Sequence, residues 1–424
     1  MSITALLNKY SRSGSALSLC AVLALALASA GEATAGPREQ AKRMHDRLAG
    51  VPPTEEVLDT MQGIIEDGSQ SEAAYIEAAF EAMEHSAFYS VTLKNFATPW
   101  TNEAQTVFAP LNDYSATVIG LIRDDADFRR VLYDDVVYVG SGVSPGYSMD
   151  NNAHYEAMDA DNVDLKTVLT DTQQSAVTNI PSGATAGVMT TRAGARAFYY
   201  AGTNRAMFRF TLMNHLCYDL EQVKDTTRAT DRIRQDVTRS PGGDSRIFLN
   251  ACVGCHAGMD PLAQAYAYYE WDYDRDNDPE GENGRLIYNT SADPENPDNL
   301  ANPQLNSRVQ EKYLINDTTF KWGFRTPDDQ WDNYWREGPN ASRLGWDPAL
   351  PGSGSGAKSL GEELAHSEAF AQCQVKKVFR TVCFRDPQDS TDRSQLQNMV
   401  TSFKGSGYKM KQVFAEAAAY CKGE

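Results

Sequence analysis

Beyond its first 35 residues the sequence has no apolar run that approaches the ~20 residues needed to cross a bilayer. It is also poor in positive charge, since 39 lysines and arginines stand against 57 acidic residues, for a formal net charge of −18. An acidic chain of this kind is unsuited to nucleic acid and to anionic lipid surfaces. We therefore expect a mature chain that has no transmembrane segment and binds no nucleic acid.

The N-terminus has the parts of a secretory signal peptide. Lys9 and Arg12 supply a short positive region, and residues 17–30 form an apolar run that is short for a bilayer. Small residues at the end of this run and just beyond it provide cleavage sites. Cys20 lies inside the run, and we assign it to the removed peptide. The sequence thus predicts a signal peptide over residues 1–35 and a periplasmic or secreted protein.

Cysteine and histidine are scarce, with seven and six residues among 424. Cys252, Cys255 and His256 nevertheless form the motif C-x-x-C-H, which is the attachment site of c-type haem. Two thiols at this spacing reach the two vinyl groups of one porphyrin, and the adjacent histidine supplies a nitrogen ligand to the iron. The alternatives are a small disulfide or a zinc site, but zinc needs more ligands nearby, and His215 and Cys217 stand alone.

We therefore predict one covalent haem c, held by the two motif cysteines, with His256 as an axial ligand of the haem iron. The predicted export supports this interpretation, because bacterial c-type haem is attached after export.

Helical periodicity is clear at both ends of the chain and scarce between them. Thr54 and Ser71 each stand at an N-cap position before apolar residues at helical spacing, and Gly68 ends the first of these two helices. Further helical patterns cover residues 114–121, a short segment around Phe128, and residues 196–224, 360–384, 395–403 and 409–420. Residues 136–139 look extended, and residues 272–304 and 325–357 are rich in loop formers.

The predicted fold is mainly α, with a helical N-terminal domain over residues 36–200. A c-type haem domain over residues 201–424 is expected to be cytochrome c-like, with long loop insertions before its C-terminal helices. Within the first of these loops, aspartates alternate from Asp272 to Asp278 as in a calcium site, but Asn277 and Asn283 replace the required Gly and Glu. A solvated acidic loop is the favoured interpretation, and incidental calcium binding stays open.

Several stretches together resemble the planctomycete-type cytochrome c proteins, mono-haem C-x-x-C-H proteins with associated domains of unknown function. The matching stretches are residues 121–128 with 134–139, 187–190, 215–217, the haem motif with the following hydrophobic-Asp-Pro at 259–261, and residues 364–367, 370–373, 378–379 and 406–408. They span roughly residues 115–420. The resemblance implies a haem protein whose activity is not settled.

Four cysteines remain outside the signal peptide and the haem motif, and an even number in an oxidising compartment suggests two disulfides. Cys373 and Cys383 lie about 15 Å apart on one predicted helix, whereas a disulfide tolerates about 7 Å between α-carbons. This leaves Cys217–Cys373 with Cys383–Cys421, or the pairs 217–383 and 373–421. The resemblance favours the first set, because Cys217 and Cys373 match the family pattern.

The leading functional hypothesis is periplasmic electron transfer by one haem, with a redox partner protein of basic charge. A haem enzyme of peroxidase or oxygenase type with an open iron position is the alternative, and an envelope binding module with a structural or sensory haem is a third. No catalytic residue is assigned. Met259 lies too close to His256 in the chain to reach the opposite face of the haem, so the candidate distal ligands are Met399, Met410 and His215.

Overall fold

The computed structural model describes residues 35–237, 245–291, 301–302, 307–316, 320 and 322–423, so the predicted signal peptide lies outside the described residues apart from residue 35. The described chain is mainly α-helical, as the sequence predicts. Its α-helices of seven or more residues are α1 (Pro37–Ala49), α2 (Glu55–Asp67), α3 (Glu72–Met83), α4 (Asp113–Arg123), α5 (Ala153–Ala160), α6 (Arg192–Tyr199), α7 (Arg205–Thr211), α8 (Val253–Ala263), α9 (Gly356–Ala365), α10 (Glu368–Cys383), α11 (Ser390–Gly405) and α12 (Met410–Tyr420).

The N-terminal helices begin where their capping residues predict. The Thr54 hydroxyl accepts a hydrogen bond from the Val57 amide at the start of α2, and the Ser71 hydroxyl accepts one from the Ala74 amide at the start of α3. Each cap satisfies a backbone donor that has no partner within the helix. These two starts are confirmed, and so is the end of α2 before Gly68.

The first and last helices pack on one another. Helix α3 packs on α1, α2 and the C-terminal α12, while α12 also packs on α10 and α11. A single apolar cluster runs from Ala41 to Ala419 and includes residues on both sides of position 200. The two predicted domains therefore share one core, and a boundary at that position stays a prediction. Among the described residues, no helix combines the length and the apolar character needed to cross a bilayer.

Two of the predicted helices are interrupted. The single helix predicted for residues 360–384 is wrong, because α9 ends at Ala365 and α10 begins at Glu368. Ser367 caps α10 by accepting a hydrogen bond from the Phe370 amide, and this local bond competes with a continuous helix. The pattern at 196–224 is likewise divided into α6, α7 and two further short helical turns.

The strands form four antiparallel pairs in the described chain. They are β1 (Val137–Gly140) with β2 (Leu169–Thr172), β3 (Tyr269–Tyr273) with β4 (Gly284–Tyr288), β5 (Ala301–Asn302) with β6 (Ser307–Gln310), and β7 (Gln330–Asp332) with β8 (Ser353–Ser355). The extended segment expected at residues 136–139 is confirmed by β1. Strands β4, β5, β7 and β8 lie within the two regions rich in loop formers, and the composition of these regions conceals them.

Two disulfides link segments that lie far apart in the sequence. Cys217, just after α7 and the helical turn that follows it, bonds to Cys373 in α10, with 5.2 Å between their α-carbons. Cys383 at the end of α10 bonds to Cys421 just after α12, with 5.5 Å between α-carbons. This is the first of the two pairings that the sequence leaves open, and it ties the segment before the haem motif to the C-terminal helices.

Candidate haem-attachment site

The C-x-x-C-H motif occupies the beginning of α8. Cys252 immediately precedes the helix, at the end of a π-helical turn over Phe248–Cys252, and Cys255 and His256 follow three and four residues later. Residues at these spacings lie on one helical face. All three side chains are partly exposed. The local fold therefore presents two thiols and an imidazole together at the surface.

Both motif thiols are free, whereas the other four cysteines of the described chain are in disulfides. The Cys255 sulfur lies 3.6 Å from the carbonyl oxygen of Leu220. Burial, together with the nearby Glu221, raises the pKa of the Cys255 thiol. Burial therefore favours the neutral thiol of Cys255 over its thiolate.

The imidazole of His256 is hydrogen-bonded to a buried carboxylate, that of Asp260. Its Nδ1 lies 3.1 Å from Oδ1 of Asp260, one helical turn further along α8. Arg205 of α7 donates two hydrogen bonds to the same carboxylate, from Nε to Oδ1 at 2.7 Å and from Nη2 to Oδ2 at 2.9 Å. Burial alone raises the pKa of Asp260, but Arg205 and His256 hold that pKa well below its usual range. An ionised Asp260 can only accept, so Nδ1 of His256 carries the proton and Nε2 is left as its ligand atom.

The Arg205 guanidinium also binds a second carboxylate. Its Nη2 lies 3.0 Å from Oδ1 of Asp236, and its Nη1 contacts Oδ2 of the same residue. Asp236 is nearly fully buried and lies 3.5 Å from Nε of Arg234. The hydroxyl of Thr203 donates to Asp236 at 2.6 Å. A buried network of two arginines and two aspartates thus connects α7, α8 and the loop before residue 238.

An apolar surface lies beside the thiols. Phe248 packs with Ile233 and Val253 in a small cluster that Cys252 borders, and the Phe248 ring centre is 6.3 Å from that of His256. Leu249 and Ile247 leave 61 % and 50 % of their surfaces exposed. A cavity of about 200 Å³ is lined by Phe248, Leu249, Val253, Thr230 and Ser245. Exposed apolar residues of this kind are typical of sites where a large apolar group binds.

The residues present fit a covalent haem. Two free thiols and a partly exposed imidazole share one helical face, and apolar side chains flank them. Nδ1 of that imidazole is hydrogen-bonded to a carboxylate, as in protein metal sites. Cys252 and Cys255 would form the two thioether bonds, and His256 would ligate the iron.

Helix α8 is held in place by a close approach to Trp335. Gly258 faces the indole ring, and a Cβ built on this glycine would overlap the Trp335 nitrogen and the adjacent ring carbon. Trp335 is fully buried, and its ring cannot move outward without disturbing the core. The glycine therefore sets the distance between the haem-motif helix and the residues beneath it.

We expect Gly258→Ala to destabilise the protein by about 1–3 kcal/mol, because overpacking at a rigid contact forces the helix or the indole to shift. Gly63→Ala is the matched control: Gly63 also lies within a helix, but its added Cβ meets nothing within 4 Å. The control should stabilise by about 0.5–1 kcal/mol through helix propensity. Urea denaturation of both variants measures the difference, and equal effects would contradict the packing argument.

The three candidate distal ligands lie in other parts of the core. Met399 and Met410 are buried in α11 and α12, which pack on α10 and on each other. His215 is fully buried, and its Nε2 is hydrogen-bonded to the Tyr114 hydroxyl at 2.8 Å. In the part of the chain that the structure describes, the hydrogen-bond and ring partners of His256 are Asp260 and Phe248, and none of the three candidates is among them.

The acidic loop after the haem motif is organised by its own hydrogen bonds. Asp274 accepts from the amides of Asp276 and Asn277, and Asp278 accepts from the amide of Asn283. No group of three or more His, Cys, Asp or Glu side chains within the described ranges is arranged to hold a bare metal ion. The observed arrangement is that of a solvated acidic turn.

Asp260, Arg205 and Asp236 are the site residues that sequence reasoning missed. Asp260 could have been found, because it follows His256 by four residues, and a helix over the motif would place it one turn further along the same face. Arg205 and Asp236 carry no comparable signal, since they reach the site from separate segments. Comparison of the chain with protein-family models, with curated proteins and with solved structures finds no match.

Proposed function

We propose that this chain is an exported, mono-haem c-type cytochrome-like protein that transfers electrons in the periplasm, with a cytochrome c-like arrangement around α8. The observation that carries the proposal is the pair of free thiols, Cys252 and Cys255, on one face of α8 with His256. In an oxidising compartment, two thiols this close would be expected to oxidise to a disulfide unless they are modified. Attachment to the two vinyl groups of a porphyrin explains both the spacing of the two cysteines and the histidine that follows them.

Such a haem supplies reversible one-electron chemistry when bound. The chain's own residues bind it, orient the axial imidazole through Asp260, and leave the apolar side chains of Leu249 and Ile247 beside its attachment point. The net charge of −18 favours a redox partner with a basic docking surface, because complementary charge accelerates encounter.

One observation supports a second candidate, a haem enzyme of peroxidase or oxygenase type. The axial His256 is hydrogen-bonded to an ionised carboxylate, which makes the imidazole a stronger electron donor than a bond to a backbone carbonyl does. A strongly donating axial ligand suits a haem that activates an oxidant as well as one that carries electrons. The two functions differ in the ligation of the second iron position.

The test is export of the full chain in a bacterium that has a cytochrome c maturation system. We expect one haem per chain, seen as haem-dependent peroxidase staining of the denatured band and as a mass increase of one haem over the mature polypeptide. A low-spin, six-coordinate ferric spectrum that is indifferent to peroxide supports the electron carrier. A high-spin spectrum that changes with peroxide supports the enzyme, and a chain without covalent haem refutes both.

A further inference from the structure

We propose that Asp260 is a positioning residue that fixes the tautomer and orientation of His256 and keeps the bound haem at a low reduction potential. This inference rests on the proposed function and adds to it the control of the axial ligand. Its first support is the contact between Nδ1 of His256 and Oδ1 of Asp260 at 3.1 Å. The Asp260 side chain is 0 % exposed, so water does not compete for this contact.

The carboxylate of Asp260 is itself immobilised. The two hydrogen bonds from Arg205, at 2.7 and 2.9 Å, are bidentate and fix the plane of the carboxylate. The Arg234 amide approaches Oδ2 at 3.4 Å from a third segment of the chain. Asp260 is therefore held independently of His256, and the imidazole must adapt to it.

A fixed acceptor on Nδ1 has two consequences for the other ring nitrogen. It keeps the proton on Nδ1, so that the lone pair of Nε2 is free to ligate the iron. It also draws that proton toward the carboxylate, which increases the electron density on Nε2 and the basicity of the ligand. A more basic axial ligand stabilises the oxidised iron over the reduced iron, and the reduction potential falls.

The network also allows the effect of the axial hydrogen bond to be distinguished from the effect of buried charge. Asp236 is almost as deeply buried as Asp260 and shares Arg205 with it, but its carboxylate accepts hydrogen bonds from Arg205 and Thr203 rather than from His256. Neutralising Asp236 removes one negative charge from the same network and leaves the contact of Asp260 with His256 in place. The variant Asp236→Asn is thus a control for charge without loss of the axial hydrogen bond.

The experiment compares the haem-loaded full chain with Asp260→Asn and Asp236→Asn by spectroelectrochemical titration. Both variants should keep covalent haem, which reports separately on the proposed function. We expect the reduction potential to rise in both, and to rise at least twice as far in Asp260→Asn. Equal shifts, or no shift in Asp260→Asn, would overturn the inference while leaving the cytochrome assignment intact.

A measurement on the unaltered protein decides the question if Asp260→Asn does not fold. The reduced, ¹⁵N-histidine-labelled protein is examined by NMR, with carbon monoxide added if the iron has an open position. We expect the Nδ1 proton of His256 far downfield and in slow exchange with water, as for a proton donated to a buried carboxylate. A proton at the position of a free imidazole N–H, or one lost to rapid exchange, refutes the role of Asp260.

Discussion

We expect the exported double variant Cys252→Ala/Cys255→Ala to carry no covalently bound haem. The two thiols are the only free cysteines among the described residues, so no other described sulfur can replace them. Haem-dependent staining of a denaturing gel and intact mass measure the loss, which should be complete. Each single variant retains one thiol and should keep a fraction of the haem through a single bond.

The matched control removes two other cysteines and leaves the motif intact. Cys383→Ala/Cys421→Ala deletes the disulfide between the ends of α10 and α12, and this should cost about 2–5 kcal/mol of stability. It should nevertheless retain full covalent haem, because the motif and α8 are unchanged. Covalent haem in the Cys252→Ala/Cys255→Ala variant would refute the attachment site, and loss of haem in the control would show that attachment needs the folded C-terminal helices.

Local features of the sequence predict local features of the structure well. The caps at Thr54 and Ser71, the end of α2 before Gly68 and the segment at β1 all follow from residues within a few positions of each other. The C-x-x-C-H motif is equally local, since its three residues fall within five positions, and haem attachment to it stays a prediction. Each of these features depends on short-range chemistry, and short-range chemistry can be read directly from a sequence.

Features that depend on distant contacts could not be predicted in this way. The packing of α3 on α12 joins segments more than 300 residues apart, and no periodicity in either helix identifies its partner. The pairing of β3 with β4 arises in a stretch rich in Asp, Asn and Gly, where turn formers outnumber strand formers. Arg205 likewise looks like an ordinary surface arginine until the fold places it between Asp236 and Asp260.

Arg205→Ala is expected to be the most destabilising single substitution in the site, at about 3–5 kcal/mol, because removal of one partner leaves buried charge uncompensated. The Arg205 side chain is only 19 % exposed, and its partners Asp236 and Asp260 are 3 % and 0 % exposed. The Arg234 side chain would then be left beside Asp236, and Asp260 would keep only its contacts with His256 and with the Arg234 amide. Urea denaturation of the variant and the wild-type protein measures the loss.

A neighbouring ion pair on the same helix provides the control. Arg209 pairs with Asp219 at 2.7 Å, but the two side chains are 44 % and 34 % exposed. Solvent screens such a pair, so Arg209→Ala should cost only about 0–1 kcal/mol. The comparison holds the residue type and the helix constant and varies the burial of the ion pair and the number of its carboxylates.

A second substitution identifies the source of the loss. If an uncompensated carboxylate causes the loss of stability, then Arg205→Ala/Asp236→Asn should be more stable than Arg205→Ala alone, because the single excess negative charge is gone. If the loss instead comes from the missing side-chain packing of Arg205, the double variant should be no more stable than the single one. Recovery of stability would show that charge balance beneath His256, rather than the volume of the arginine, holds α7 and α8 together at the proposed haem site.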